Sequence, residues 1–319
     1  MAGLQTTVCP GGLVRVAAID TGTNSTRLLV AEDRVGGFRT LERRMIITRL
    51  GEGVDRRRAL APEALKRTLA TIADYAAVCG EYGVEKIRVT GTSAVRDAIN
   101  RNEFFDGVER LTGHVPELLS GADEARTTFL GVRADLHEPE TILVADIGGG
   151  STELIYGASE PETLTSLDIG CVRLFEKYLE TDPPTRDEID ALRAEALEGL
   201  ESFSESAEVK RGTRLVGVAG TVSQLATLKA GTLVYDSDIT HHMVMTHGDV
   251  RLLAKRLESL TYARRKRVTG LESGRADVIV AGAEILLCVM EAFDFAEVMV
   301  SEKDILDGLV IQLIGEGSS

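Results

Sequence analysis

Two stretches constrain this chain more than any bulk property. AIDTGTNSTRLLV occupies 18–30 and VADIGGGSTELIY occupies 144–156. Both read apolar run, Asp, any residue, Gly, two small residues, Ser-Thr, any residue, Leu. An apolar run that ends at Asp is a buried strand. The segment after each Gly-rich piece is again apolar, so the glycines form a hairpin tip. Two such units in one chain imply two related α/β domains facing each other across a cleft.

The rest of the pattern agrees. The spacing predicts a helix over 62–83, opening on Pro62, with Leu65, Leu69, Ile72, Ala76 and Cys79 on one face. It predicts strands at 84–92 and 115–121 and helices at 93–113 and 122–136. After the second hairpin come a helix over 181–203, a strand at 214–220 and a helix at 221–231. The reading ends with helices at 246–260 and 275–293, a strand at 296–302 and a closing helix at 303–314. Thr246 or Asp249 is expected to cap the 246–260 helix. No Pro/Gly/Ser linker separates the halves. The expected division is 1–122 plus 303–319 for one domain and 123–302 for the other.

Composition excludes some classes of function. The chain has 319 residues and a formal net charge of −14. Such an acidic surface is a poor nonspecific binder of nucleic acid or membrane, so no nucleic acid and no membrane is expected among its partners. The basic clusters at 55–58 and 263–267 read as solvated faces. Cys9, Cys79, Cys171 and Cys288 lack metal or redox spacing and read as reduced thiols of a cytoplasmic protein. The start shows no signal-peptide pattern, and no run is long and apolar enough to span a membrane.

The tips themselves point to phosphate. Gly22, Gly148, Gly149 and Gly150 remove Cβ atoms where a ligand would meet the backbone. Exposed N–H groups in such a turn make a nest for phosphate oxygens. Hydroxyls of Thr21, Thr23, Ser25, Ser151 and Thr152 add donors. Asp20 and Asp146 sit at strand ends, where acceptors for a hydrated cation are wanted. Two like charges about 4 Å apart cost roughly 4 kcal/mol at an effective dielectric near 20. A divalent cation relieves this, and Mg²⁺ suits carboxylates plus substrate oxygens. Neither a Walker loop nor a Rossmann fingerprint is present, since a strand and not a helix follows the glycines.

The two tips differ at one informative offset, Arg27 in the first and Glu153 in the second. Asp146 and Glu153 are expected on one side of the cleft, sharing a cation. SGADEAR (120–126) puts Asp123 and Glu124 in a first helical turn, ordinary placement for acids. Between two phosphate loops, however, such a carboxylate is a candidate general base. In GTSAVRDA (91–98), Arg96 is expected to fork onto phosphate oxygens beside a helix N-terminus. GVAGT (217–221) supplies another phosphate-facing turn. His241, His242 and His247 make a metal site conceivable, but no acidic partner or regular spacing supports one, and they read as a surface loop.

AIDTGTNSTRLLV, GTSAVRDA, LLSGADEAR, LVADIGGGSTEL, GCVRL, GVAGT and SEKDILDG together resemble the exopolyphosphatase / guanosine pentaphosphate phosphohydrolase family. The resemblance covers about residues 14–310. It implies the actin-like, ribonuclease H-like fold shared with Hsp70 and sugar kinases. It also implies release of terminal phosphate from inorganic polyphosphate, with Mg²⁺ or Mn²⁺. By motif position Glu124 would orient and activate water, and Asp146 and Glu153 would hold metal with Asp20 nearby. Gly22, Thr23, Asn24, Ser25, Arg96, Gly148, Gly149, Gly150, Ser151, Gly220 and Thr221 would bind phosphate. A homodimer is also expected from the family.

Three departures qualify the match. Asp123 stands where the family often has Glu, and Ser223 where it often has Lys, which removes a phosphate contact. The chain has the short two-domain form, so short polyphosphate is expected over long. The competing readings are hydrolysis of guanosine pentaphosphate, an ATP-dependent kinase of the same superfamily, and a non-enzymatic nucleotide or phosphate sensor.

Overall fold

The computed structural model describes residues 14–136 and 140–316. Cys9 and the signal-peptide reading of the N-terminus lie outside the described residues. The elements run in order β1 (Arg15–Thr21), β2 (Ser25–Arg34), β3 (Gly37–Ile47), α1 (Val54–Arg57), α2 (Pro62–Glu81), β4 (Lys86–Gly91), α3 (Ser93–Asp97), α4 (Arg101–Thr112), β5 (Glu117–Leu118) and α5 (Gly121–Arg133). The second half holds β6 (Ile142–Ile147), β7 (Thr152–Gly157), β8 (Pro161–Leu167), α6 (Cys171–Tyr178), α7 (Arg186–Ser206), β9 (Arg214–Val218), α8 (Ala219–Ala230), α9 (Ser237–Thr240) and β10 (Val244–Thr246). It closes with α10 (His247–Glu258), α11 (Tyr262–Arg265), α12 (Ile279–Ala292), β11 (Glu297–Val300) and α13 (Ile305–Gly315).

The duplication read from the twin loops is present in the topology. One sheet has the order β3-β2-β1-β4-β5 and the other β10-β11-β9-β6-β7-β8. In each, the central strand pairs antiparallel with its hairpin mate and parallel with the strand on its other side. Both central strands are buried on both faces, which explains their unbroken apolar runs. Ala17 and Ile19 of β1 face α2 and α4, while Val16 and Ala18 face α13. Leu143 and Ala145 of β6 join the large second core, while Ile142 and Val144 pack under α5. These are two actin-like domains facing across a cleft.

Two helices link the lobes. α5 packs on β7 and β8 of the second sheet, and α13 packs on β1 and β2 of the first. They meet backbone to backbone at Gly131 and Gly308. A Cβ at Gly131 would lie 2.0 Å from the Asp304 carbonyl, and one at Gly308 would lie 1.9 Å from the Thr127 carbonyl.

The structure corrects several expected boundaries. The single helix over 93–113 is two, α3 and α4. Asn100 breaks it, because its amide holds both the N–H and the carbonyl of Leu60. The helix over 181–203 starts at Arg186, where Thr185 and Glu188 form a reciprocal capping box. Thr246 and Asp249 both serve as cap for α10. α1, β3, β8, α6, α9, β10 and α11 were not expected, and Ala219 and Gly220, expected at the end of a strand, open α8. The basic clusters are not simply solvated: Arg265 is buried, and Arg56 donates to the Glu176 carbonyl of the other lobe. The three described cysteines are free and buried. No helix among the described residues is long and apolar enough to cross a membrane.

The α5–α13 crossing has no room for a methyl group. Gly308→Ala is expected to cost about 3 kcal/mol in urea unfolding, the upper part of the range for overpacking. Gly80→Ala, in α2, meets no atom within 4 Å and is expected to be neutral or to gain up to about 1 kcal/mol.

Candidate active site

The twin tips share one turn geometry and one cavity. Gly22 N–H donates to the Ser25 carbonyl at 3.0 Å, and Gly148 N–H donates to the Ser151 carbonyl at 3.0 Å. The tips touch across the lobes. A Cβ on Gly149 would sit 2.9 Å from Thr23 Cβ, and one on Gly150 would sit 2.6 Å from Thr23 Oγ1 and 2.4 Å from Ser93 Oγ. Only glycine allows this approach. The carbonyls behind each tip are tied down on the far side. Gly51 and Arg49 N–H groups hold those of Thr23 (2.8 Å) and Asn24 (2.9 Å). Cys171 and Val172 N–H groups hold those of Gly148 (3.0 Å) and Gly149 (2.8 Å). In a trans peptide the next N–H points the opposite way, so the amides of Gly149 and Gly150 face away from α6. The Asn24 side-chain amide is buried without a partner, a spare donor within the cleft wall.

Both tips line a cavity of about 660 Å³. Its wall includes Asp20, Gly22, Thr23, Asn24, Ser25, Glu124, Asp146, Gly148, Gly149, Gly150, Ser151, Gly220 and Thr221. Every predicted phosphate-binding residue except Arg96 is therefore brought together, as are Glu124 and two of the three predicted metal carboxylates.

The offset noticed in sequence is a matched register. Asp20 lies directly opposite Arg27 on β1–β2, and Asp146 lies directly opposite Glu153 on β6–β7. Directly opposed residues present their side chains on the same face. In the first lobe the pair is a salt bridge at 2.7 Å, and Arg27 also reaches Asp304, the cap of α13. Burial works against the Arg27 charge, yet Asp304 and Asp20 hold its pKa above the usual value. In the second lobe two carboxylates face each other with no arginine. Burial, then the field of Asp304 and Asp20, pushes Asp146 up to about 6 against the pull of Arg27 and Thr128. Burial, with Glu124 and Asp146 adding to it, holds Glu153 well above the usual carboxylate range. Ser166 Oγ donates to Glu153 at 2.6 Å, and the Glu153 side chain stands behind the cleft wall.

Glu124 sits in the first turn of α5, which Ser120 caps by accepting from Asp123 N–H at 3.1 Å. Burial pushes Glu124 up to about 7. Arg96 opposes the shift, and Asp20 and Asp146 add to it. Arg96 Nη1 donates to Glu124 at 2.7 Å and to the Leu119 carbonyl at 3.0 Å. Arg96 thus steadies the carboxylate and is not among the cleft-lining residues. Asp20 is also engaged: Oδ2 accepts from Arg27 and Oδ1 from Thr90 at 3.1 Å.

Sequence reasoning gave no role to Arg27 or Asp304, which complete the charge pairing of the first lobe. The register offset and the SEKDILDG stretch were their signals. The same cavity is also lined by Met45, Leu233, Val234, Tyr235 and Leu271, with Gln224 and Glu272. The histidine reading needs correction, because an acidic partner comes from elsewhere in the chain. Asp135 meets His241 at 2.9 Å and His242 at 2.8 Å. Among the described residues this is the trio whose donor atoms all fall within 4.8 Å of one another, and the cleft carboxylates are not gathered so tightly. His241 Nδ1 accepts from the Glu302 N–H at 3.1 Å. The ring proton therefore sits on Nε2, facing Asp135, as in a loop anchor.

Comparison with known proteins agrees with this geometry. The profile of the Ppx/GppA phosphatase family matches residues 29–316. The chain is 38% identical over 317 residues to "Exopolyphosphatase 2" of Mycobacterium tuberculosis, covering 95% of this chain and 99% of that one. It is 31% identical over 301 residues to a guanosine-5'-triphosphate,3'-diphosphate pyrophosphatase of Vibrio vulnificus, covering 94% of this chain and 59% of that longer protein. The crystal structure of an exopolyphosphatase-like protein superposes with a TM-score of 0.90 at 32% identity, over 94% of this chain and 97% of that one. The Ppx/GppA family member of Aquifex aeolicus gives 0.81 at 30% identity, over 97% and 100% of the two chains. The chain belongs to the Ppx/GppA phosphatase family.

Proposed function

We propose that this protein is a phosphoanhydride hydrolase, an exopolyphosphatase that releases the terminal phosphate of short inorganic polyphosphate. The observation that carries the reading is Glu124, the carboxylate at the start of α5 that lines the cleft shared by two phosphate-type tips. A pKa near neutrality suits a proton acceptor, and the carboxylate of Glu124 is raised to about 7. Arg96 holds it in place. The backbone amides of the tips and the Asn24 amide receive the terminal phosphate, and Thr23 and Ser151 add hydroxyls. Glu124 orients a water for in-line attack and takes its proton. Positioning and charge stabilisation carry most of such a phosphoryl transfer.

The donor set fits a hard divalent cation. Asp146 and Glu153 are opposed carboxylates without an arginine between them, and oxygen ligands of this kind suit Mg²⁺ or Mn²⁺. Asp146 and Glu153 would hold it, directly or through water, with Asp20 nearby. Once bound, it would neutralise charge on the phosphate oxygens. The reading includes the domain division 1–122 plus 303–319 and 123–302, supported by α13 packing on the first sheet. It also includes a cytoplasmic setting and a homodimer.

One observation favours guanosine pentaphosphate as the alternative substrate. The apolar side chains of Leu233, Val234 and Leu271 in the cleft wall offer a nucleobase a face, although the Gln224 amide beside them is already bonded to the Gly270 carbonyl and the Glu272 N–H. Phosphate release from short polyphosphate, long polyphosphate, guanosine pentaphosphate and ATP, run in parallel, decides between them. The expected order puts short polyphosphate first, and a preference for guanosine pentaphosphate would reverse the assignment.

Glu124→Gln is expected to keep the fold and lower kcat by about 10²–10⁴-fold. Wild-type turnover in that variant removes Glu124 from its role. EDTA is expected to abolish activity, with Mg²⁺ or Mn²⁺ restoring it.

The carboxylates also predict a pH dependence of stability. Glu124 and Asp146 titrate at about 7 and about 6 in the folded protein and near 4 when unfolded. Between these values the folded state binds more protons, so stability falls as pH rises. Chelator-treated protein is expected to melt at lower temperature at about pH 7.5 than at about pH 5.5 through this cluster. Asp146→Asn should flatten the trend, and Mg²⁺ should raise the melting temperature most at the higher pH.

A further inference from the structure

The GCVRL stretch has no role in the mechanism above, yet its arginine is one of the most heavily bonded side chains in the molecule. Arg173, in the first turn of α6, is 11% exposed. Its Nε donates to the Gly150 carbonyl at 2.8 Å. Its Nη1 donates to Asp55 of α1, and its Nη2 donates to Asp97 of α3 at 2.7 Å. Gly150 belongs to the second lobe's phosphate tip, whereas Asp55 and Asp97 belong to the first lobe. One guanidinium therefore ties the tip to the opposite lobe.

The tie has a direction. The carbonyls of Gly148 and Gly149 are held by backbone N–H groups of α6 itself. Among the described residues the third carbonyl in the series, that of Gly150, is held by the Arg173 side chain alone. Holding it on the α6 side turns the Ser151 N–H the other way, to the same side as the Gly149 and Gly150 amides. Among the described residues none of these three N–H groups has an acceptor within the protein. A cavity of about 20 Å³ lies beside this contact, lined by Thr23, Asp55, Ser93, Asp97, Gly150 and Arg173 among others. It has space for one water.

We infer that Arg173 is a positioning residue for the terminal-phosphate nest, aiming the Ser151 amide only when the two lobes are together. The inference rests on the hydrolase reading above. Asp97 and Asp55 act through Arg173 and touch no substrate. Lobe closure and the third donor of the nest are thereby one event, so an open cleft is a poor phosphate site.

Two readouts test this. Arg173→Ala is expected to lower kcat by about 10²-fold, the scale of a misplaced reacting group, with a smaller change in KM. Guanidinium ion added to the solution is expected to restore part of the loss. Arg173→Lys should recover little, because one ammonium cannot span three acceptors. Asp97→Asn should give a smaller loss and add nothing to Arg173→Ala. In the second readout, amide hydrogen exchange across 148–152 is expected to quicken in Arg173→Ala and in Asp97→Asn without any substrate. A kcat that survives Arg173→Ala overturns the inference, as does unchanged exchange in both variants. If wild-type protein hydrolyses none of the four substrates, the functional reading falls, and the exchange comparison alone decides the role of Arg173.

Discussion

The cleft is built around unbalanced negative charge, and the two lobes balance it differently. At equivalent points of equivalent hairpins, one lobe sets Asp20 against Arg27 and the other sets Asp146 against Glu153. The first pair is neutral as it stands. The second pair sets two buried like charges on one face, which is costly in a low-dielectric interior unless a proton or a cation intervenes. The raised pKa values of Asp146 and Glu153 are the proton solution. A hard divalent cation is the other solution, and it brings a charge that phosphate oxygens can share. What Arg27 does permanently in one lobe, the proposed metal does conditionally in the other.

This asymmetry needs a scaffold that brings the lobes close without fusing them. The glycines of the second tip let its backbone touch Thr23 and Ser93. The glycines of α5 and α13 let two helices from different lobes cross at backbone distance. Both contacts lack side-chain bulk, so each lobe keeps its own core while the join stays thin. Glu124 stands at the start of α5, on one of the two helices that meet at this join. The proposed general base is therefore carried by an element that touches both lobes, and Arg96 of the first lobe holds its carboxylate through a charged hydrogen bond.

The parts legible in sequence were those in which one local pattern has one physical meaning. An apolar run stopping at Asp and Gly marks a two-face-buried strand entering a tip, and both tips appeared where expected. Glu124 was legible because an acid in a first turn, between two such tips, has chemistry to do. β3 and β8 were hidden because their residues are mixed: GFRTLERRMII carries three arginines and a glutamate along a largely exposed strand. Its position comes from pairing with β2, a fact of topology. α6 was hidden because eight residues make barely two turns, too short a stretch to read a period from although one side of it is apolar and buried. Partners distant in sequence were illegible for the same reason. Nothing local links Arg96 to Glu124, Asp135 to His241, or Arg173 to Asp97, since each pair forms only when separate elements pack.

The same charge balance bears on how a polyanion enters. The cleft wall sets Arg27, Arg43, Arg44 and Arg275 against Asp20, Glu124, Asp146, Glu272, Glu302 and Asp304. Arg27 and Arg43 are already spent on Asp20, Asp304 and Asp307. Such a wall does not form a continuous basic track, so a bare chain of phosphates gains little beyond the tips themselves. On the proposed reading a terminal phosphate accompanied by its own divalent cation is a different guest, because it would bring positive charge to Asp146 and Glu153 and negative charge to the amides. The same wall carries apolar side chains at Leu233, Val234 and Leu271, which offer a phosphate no hydrogen-bond donor. On the proposed reading the tips take only the terminal phosphate, so selectivity would rest on what the leaving group can do with the rest of the wall, which is neither uniformly basic nor fully polar.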